Sequence, residues 1–173
     1  MTANDMQVGG GHYSTKGGYQ HWDWCADVRL GYFESAATKY LSRHWDKNGV
    51  EDVKKAYHYV LKILELVGEG RYANHSLHVC PRLEDRVPSR ECFDRFTTGT
   101  EIPIAERSIM WALCNWRDDS DLKYVLKEID AVIVDATGAA TAPLEPKPST
   151  HTQTQPEAST RGMASPFGYP GDG

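Results

Sequence analysis

The run Val50–Val67 decides most of what this chain can fold into. Val50, Val53, Ala56, Tyr57, Val60, Leu61, Leu64 and Val67 recur at intervals of three and four, the spacing that gathers side chains on one face of an α-helix. A helix with one apolar face has to be covered by a second element. Tyr32–Trp45 supplies one: Phe33, Ala36, Ala37, Tyr40, Leu41 and Trp45 repeat in the same way. Only Asp46-Lys47-Asn48-Gly49 separates the two, a turn in which Asn-Gly tolerates left-handed backbone. So short a connection predicts antiparallel neighbours.

Weaker patterns flank this pair. Trp24, Cys25 and Val28 give a short helix within 20–30. Residues 71–100 hold no sustained period and read as a long loop, with one turn of helix around Ser89–Phe96. Thr100 is placed to cap a fourth helix over Pro103–Trp116, in which Ile104, Ser108, Trp111, Ala112 and Cys114 align. A fifth starts at Asp118-Asp119-Ser120 and carries Leu122, Val125, Leu126, Ile129 and Val132-Ile133. Only Ala131–Val134 has the look of a strand. The expected fold is all-α: a small helical domain built on a central antiparallel pair.

Composition sets the limits of that domain. Six of the nine prolines fall from Pro143 onward, among Thr, Ser, Ala, Gln and Gly, a mixture with too little apolar surface to offset ordering entropy. Residues 136–173 are therefore expected to be a disordered tail, and the Gly-rich 1–19 a flexible arm, leaving 20–135 as the folding unit. No apolar run approaches the roughly 18–20 residues that span a bilayer. Met1–Gly11 lacks the basic and apolar regions of a secretory signal. Cys25, Cys80, Cys92 and Cys114 are too dispersed for a disulfide framework, so free thiols and a cytoplasmic location are expected. A net charge of -5 argues against general nucleic-acid binding.

Charge is not evenly spread. Lys39 and Arg43 lie four apart on helix two; Asp52, Lys55, Tyr59 and Lys62 make a second stripe on helix three. Between Lys39 and Lys62 there are six basic residues and three acidic ones, a local excess of three positive charges in an acidic protein. Such a patch suits a phosphate, with Arg43 as bidentate partner and lysines as point charges. A solvated face of ordinary salt bridges has the same composition.

The run KYLSRHWDKNGVEDVKKAYHYV, preceded by GGGHY, resembles the SaV-like family of bacteriophage proteins. The matching residues are His12-Tyr13, Lys39-Tyr40, Arg43, Lys47, Asp52, Lys55-Ala56 and Tyr59, within about residues 10–65. The chain departs from the pattern at Ser35-Ala36, where the family usually has Gly-Asn, and at Trp45, where it has glycine. The resemblance implies a phage-encoded protein in the host bacterial cytoplasm and a nucleoside-monophosphate kinase acting on deoxynucleotides, with ATP as donor and magnesium as a candidate ion. Lys39, Arg43 and Lys55 would then contact phosphates, and Asp52 would orient a lysine or bind the magnesium. His12, Tyr13, Tyr40, Lys47 and Tyr59 would complete the nucleotide site. A phosphate-binding Gly-x-x-x-x-Gly-Lys-[Ser/Thr] loop is missing from the sequence. Phosphoryl transfer needs positioning and charge neutralisation, which convergent Lys and Arg side chains can provide without one.

Other chemistries are less well supported. His75, His78, Cys80 and Cys92 match no established zinc spacing, and zinc is not expected. Glu65 and Glu69 lack the second acidic pair of the all-α pyrophosphohydrolases. Five tryptophans, Trp111 and Trp116 among them, exceed what so small a core needs, which points to a homo-oligomer. Two functional readings follow, a nucleotide kinase and a non-catalytic binder of a nucleotide, a signalling nucleotide or a host protein.

Overall fold

Helices build the whole of the described chain, residues 18–74 and 90–138, in a computed structural model. They are α1 (His21–Asp27), α2 (Tyr32–Arg43), a 3-10 turn (His44–Asp46), α3 (Val50–Gly68), α4 (Arg90–Gly99), α5 (Ile104–Cys114) and α6 (Asp119–Thr137). The all-α expectation holds, with no strand among the described residues. Ala131–Val134 belongs to α6, where Ile133 continues the buried helical stripe of Ile129. No described helix is long and apolar enough to cross a membrane.

α3 is central because its apolar stripe is wide enough to serve two neighbours. It packs against α2 on one side and α6 on the other. Val53, Ala56, Val60, Ile63 and Leu66 are buried along it. The first four meet Ala37 and Leu41 of α2 and the stripe Leu122, Val125, Leu126, Ile129 and Ile133 of α6 within one core. Asp118 caps α6 by accepting from the backbone N–H groups of Ser120 and Asp121, two donors the first turn leaves unpaired. α1 and α4 add an aromatic cluster: Trp24 stacks on Phe96 with centroids 5.0 Å apart and meets Phe93 edge-on.

Five sequence expectations change. Residues 90–99 are helix throughout and not loop with a single turn, because Phe93, Phe96 and Thr97 bury one face of α4; ten residues hold too few repeats for the period to stand out. Thr100 does not cap α5. Its hydroxyl donates back to the Phe96 carbonyl, and Pro103 takes the cap position. Tyr19, at the edge of the expected arm, is buried, and its hydroxyl donates to Asp27 at 2.7 Å. Trp116 is also buried, and Trp111 packs edge-on against Phe93, so these two serve the core. Trp22 and Trp45 are the exposed tryptophans. The tail expected from residue 136 begins later, since α6 runs through Thr137 to its cap at Gly138; residues from 139 on, like the arm up to residue 17, lie outside the described residues.

One buried carboxylate ties distant segments together. Glu34 of α2 is inaccessible to solvent and accepts from the Tyr72 hydroxyl at 2.6 Å and from Trp116 Nε1 at 2.9 Å. Asn74 donates to the carbonyls of Cys114 and Trp116, fixing the same strip of chain. A Cβ on Gly31 would collide with both the Tyr72 hydroxyl and Glu34 Oε2. Relief would require pulling apart a buried hydrogen bond. Gly31→Ala is therefore expected to destabilise the protein by about 1–3 kcal/mol, read as a lower urea midpoint at unchanged slope; an unchanged midpoint would show that the pair gives way freely.

Candidate functional site

The α2–α3 junction is built around Asp52, the third residue of α3. Its carboxylate is buried, yet three side chains reach it: Arg43 Nε at 3.1 Å, Asn48 Nδ2 at 2.9 Å and Lys55 Nζ at 2.8 Å. The turn makes this convergence local. Gly49 takes a positive φ of 54° that glycine adopts without strain, and α3 starts directly after it, placing Asn48 one helical turn before Asp52. Arg43 closes the last turn of α2, so the antiparallel return of α3 sets its side chain against Asp52. Burial alone would raise the Asp52 pKa. Hydrogen bonds from Lys55 and Asn48, with the charge and hydrogen bond of Arg43, outweigh that and hold it below the usual carboxylate range.

Aromatic rings extend from this knot across α2 and α3. Tyr40 carries two cations, Arg43 at 4.8 Å and Lys55 at 5.4 Å from its centroid. Tyr40 stacks on Tyr59 at 5.8 Å, and Tyr59 meets Tyr32 edge-on at 6.3 Å. A hydrogen bond with Tyr32, ahead of burial, raises the Tyr59 phenol pKa, so Tyr59 stays neutral well above physiological pH. The line therefore runs from cations at the turn to an exposed ring, Tyr32, at the start of α2.

Five residues singled out in the sequence meet here: Tyr40, Arg43, Asp52, Lys55 and Tyr59. Lys39 precedes Tyr40 in α2, and its charge acts on His21 of α1. Burial first, then the positive charges of Lys39 and Arg43, push the His21 pKa down to about 3. Lys47 occupies the exposed turn, where its backbone N–H donates to the His44 carbonyl. His12 and Tyr13 lie outside the described residues, as do His75, His78 and Cys80. The positive excess is partly neutralised, since Lys54 pairs with Glu51, Lys62 with Glu65, and Arg43 and Lys55 share Asp52.

Two participants escaped sequence reading. Asn48 looked like turn chemistry alone, although its place four residues before Asp52 permits a side-chain bond across one helical turn. Tyr32 stood at the edge of the apolar pattern, and only the crossing of α2 over α3 brings it to Tyr59. Beneath the turn, His44 Nε2 lies 3.2 Å from Glu106 Oε1, both side chains buried. Cys25 and His21 are neighbours at 3.5 Å, but burial drives the thiol up to about 12 and the imidazole down to about 3. Burial thus keeps both groups neutral, the opposite of an activated thiolate.

No family model, curated protein or solved structure matches the chain. Function is accordingly argued from the junction itself. Its chemistry is a buried acid that fixes two cations, Arg43 and Lys55. Both Asp52 oxygens accept from nitrogen donors, which suits orienting Arg43 and Lys55 and does not suit a magnesium ligand.

Asp52→Asn leaves the Arg43 guanidinium buried without its counter-charge, and a loss of about 3 kcal/mol in urea unfolding is expected. The pH sign follows from the lowered folded pKa. Wild-type Asp52 contributes its full stabilisation above the ordinary carboxylate value of about 3.9 and loses it as pH falls toward the folded value. The variant should therefore show a shallower loss of stability below about pH 4; parallel acid limbs would refute the coupling.

Proposed function

We propose that the α2–α3 junction binds the phosphate of a nucleotide, and that the protein is a phage-encoded nucleoside-monophosphate kinase without a P-loop, working in the host bacterial cytoplasm. The observation that carries this reading is the fixing of Arg43 and Lys55 by one buried carboxylate. Cations held in place before a phosphate arrives stabilise charge on the transferring group without reorganising at the moment of reaction. The resemblance of Lys39-Tyr40, Arg43, Lys47, Asp52, Lys55 and Tyr59 to the SaV-like pattern supplies the reaction class.

In this reading Lys55 and Lys39 contact phosphate oxygens as point charges. Arg43, largely buried behind Tyr40, acts as a positioning residue. Asp52 orients both cations. ATP is the donor, and magnesium would arrive on its phosphates. Lys47 widens the positive field at the turn, and His12-Tyr13 would close over the bound nucleotide. Exposed Trp22 and Trp45 support self-association as a homo-oligomer.

A second reading, a binder that does not turn over, is favoured by the same knot. Asp52 already neutralises part of the charge that a transferring phosphoryl group would call upon. Incubation with ATP and each deoxynucleoside monophosphate, followed by chromatography for the diphosphate, separates the two. Wild type is expected to form diphosphate, and Lys55→Ala to form it about tenfold or more slowly at a similar melting temperature. A nucleotide-dependent rise in melting temperature without product would establish the binder. Neither product nor thermal shift from wild type with any of these nucleotides would overturn both readings.

A further inference from the structure

We infer that Tyr32 is the nucleobase platform of this site, at the far end of the ring line from the phosphate-binding cations, and that the ligand is a single mononucleotide. The inference rests on the nucleotide reading above and adds to it the place of the base. Tyr32 is 71% exposed although it sits in an aromatic array. Phe33 and Tyr59 meet it at interplanar angles of 77° and 73°. Edge-to-face contacts of this kind hold a ring in position without stacking over it. Tyr40, by contrast, is occupied: it stacks on Tyr59 and carries Arg43 and Lys55. The array therefore offers one ring for one base.

Length agrees with a mononucleotide. Tyr32 and Arg43 are the first and last residues of α2, so about 16 Å of helix at 1.5 Å per residue separates their backbones. Lys55, reaching Asp52 and the Tyr40 ring from α3, brings the cationic end closer to Tyr32. That span accommodates a base, a sugar and its phosphates. A single strand would need successive free rings on which to stack successive bases. The edge-on contact of Tyr59, with ring centroids 6.3 Å apart, supports the platform from α3. Because stacking accepts any π-face, the site is expected to discriminate weakly among bases and strongly between a nucleotide and a sugar phosphate.

The test is calorimetric titration of the full chain with thymidine 5′-monophosphate, deoxyguanosine 5′-monophosphate, 2-deoxyribose 5-phosphate and an eight-residue oligothymidylate. Tyr32→Ala is expected to weaken both mononucleotides about tenfold and leave the sugar phosphate unchanged, while Tyr32→Phe keeps most of the affinity. Tyr32 is exposed enough that either variant should retain the wild-type melting temperature. Equal mononucleotide binding by wild type and Tyr32→Ala would overturn the platform and leave the nucleotide reading standing. Wild type that binds no mononucleotide would remove the nucleotide reading itself. Binding of the oligothymidylate alone would overturn the single-nucleotide assignment in favour of a strand.

Discussion

The carboxylate of Asp52 is the constraint on which the α2–α3 pair depends. An acid in the first turn of a helix is ordinarily a modest electrostatic aid. Here it is buried and joins the end of one helix to the start of the next through Arg43, Asn48 and Lys55. Breaking such a bond set from one side leaves a charge without water or partner. The apolar stripes bring α2 and α3 together. Asp52 fixes how their ends meet, and that in turn determines where Tyr40, Tyr59 and Lys55 stand.

The same arrangement explains why structural and functional roles are hard to separate at this junction. Arg43 is the residue a sequence reader would choose as a phosphate ligand, because guanidinium matches phosphate geometry. Its side chain is buried, however, and its Nε is engaged by Asp52. Lys55 is half-exposed and holds Asp52 through a flexible stem, so it can serve the acid and a ligand in turn. Under the proposed reading, phosphate contact therefore falls to the half-exposed Lys55 and not to the buried Arg43.

Much of the fold was legible because α3 and α6 carry long unbroken periods. The tight Asn48-Gly49 turn left little freedom in how α2 returns on α3. α4 was obscured because a ten-residue helix with two buried phenylalanines gives too little repetition to distinguish it from loop. Within the site, Tyr40, Arg43, Asp52, Lys55 and Tyr59 were readable from three- and four-residue spacing. Tyr32 and the buried partners Glu34 and Glu106 were not. Their partners Tyr59, Tyr72, Trp116 and His44 come from other elements, so no local spacing encodes them.

The Glu34 node also bears on the order of assembly. Asp52 finds Arg43 across nine positions of chain, whereas Trp116 reaches Glu34 across 82. Closing the longer loop costs more entropy. Until the indole of Trp116 and the phenol of Tyr72 arrive, the Glu34 carboxylate keeps its water. The α2–α3 hairpin is thus closed by local contacts, while the acid inside it is satisfied only by donors from chain far beyond it, so losing either donor would strand a buried acceptor.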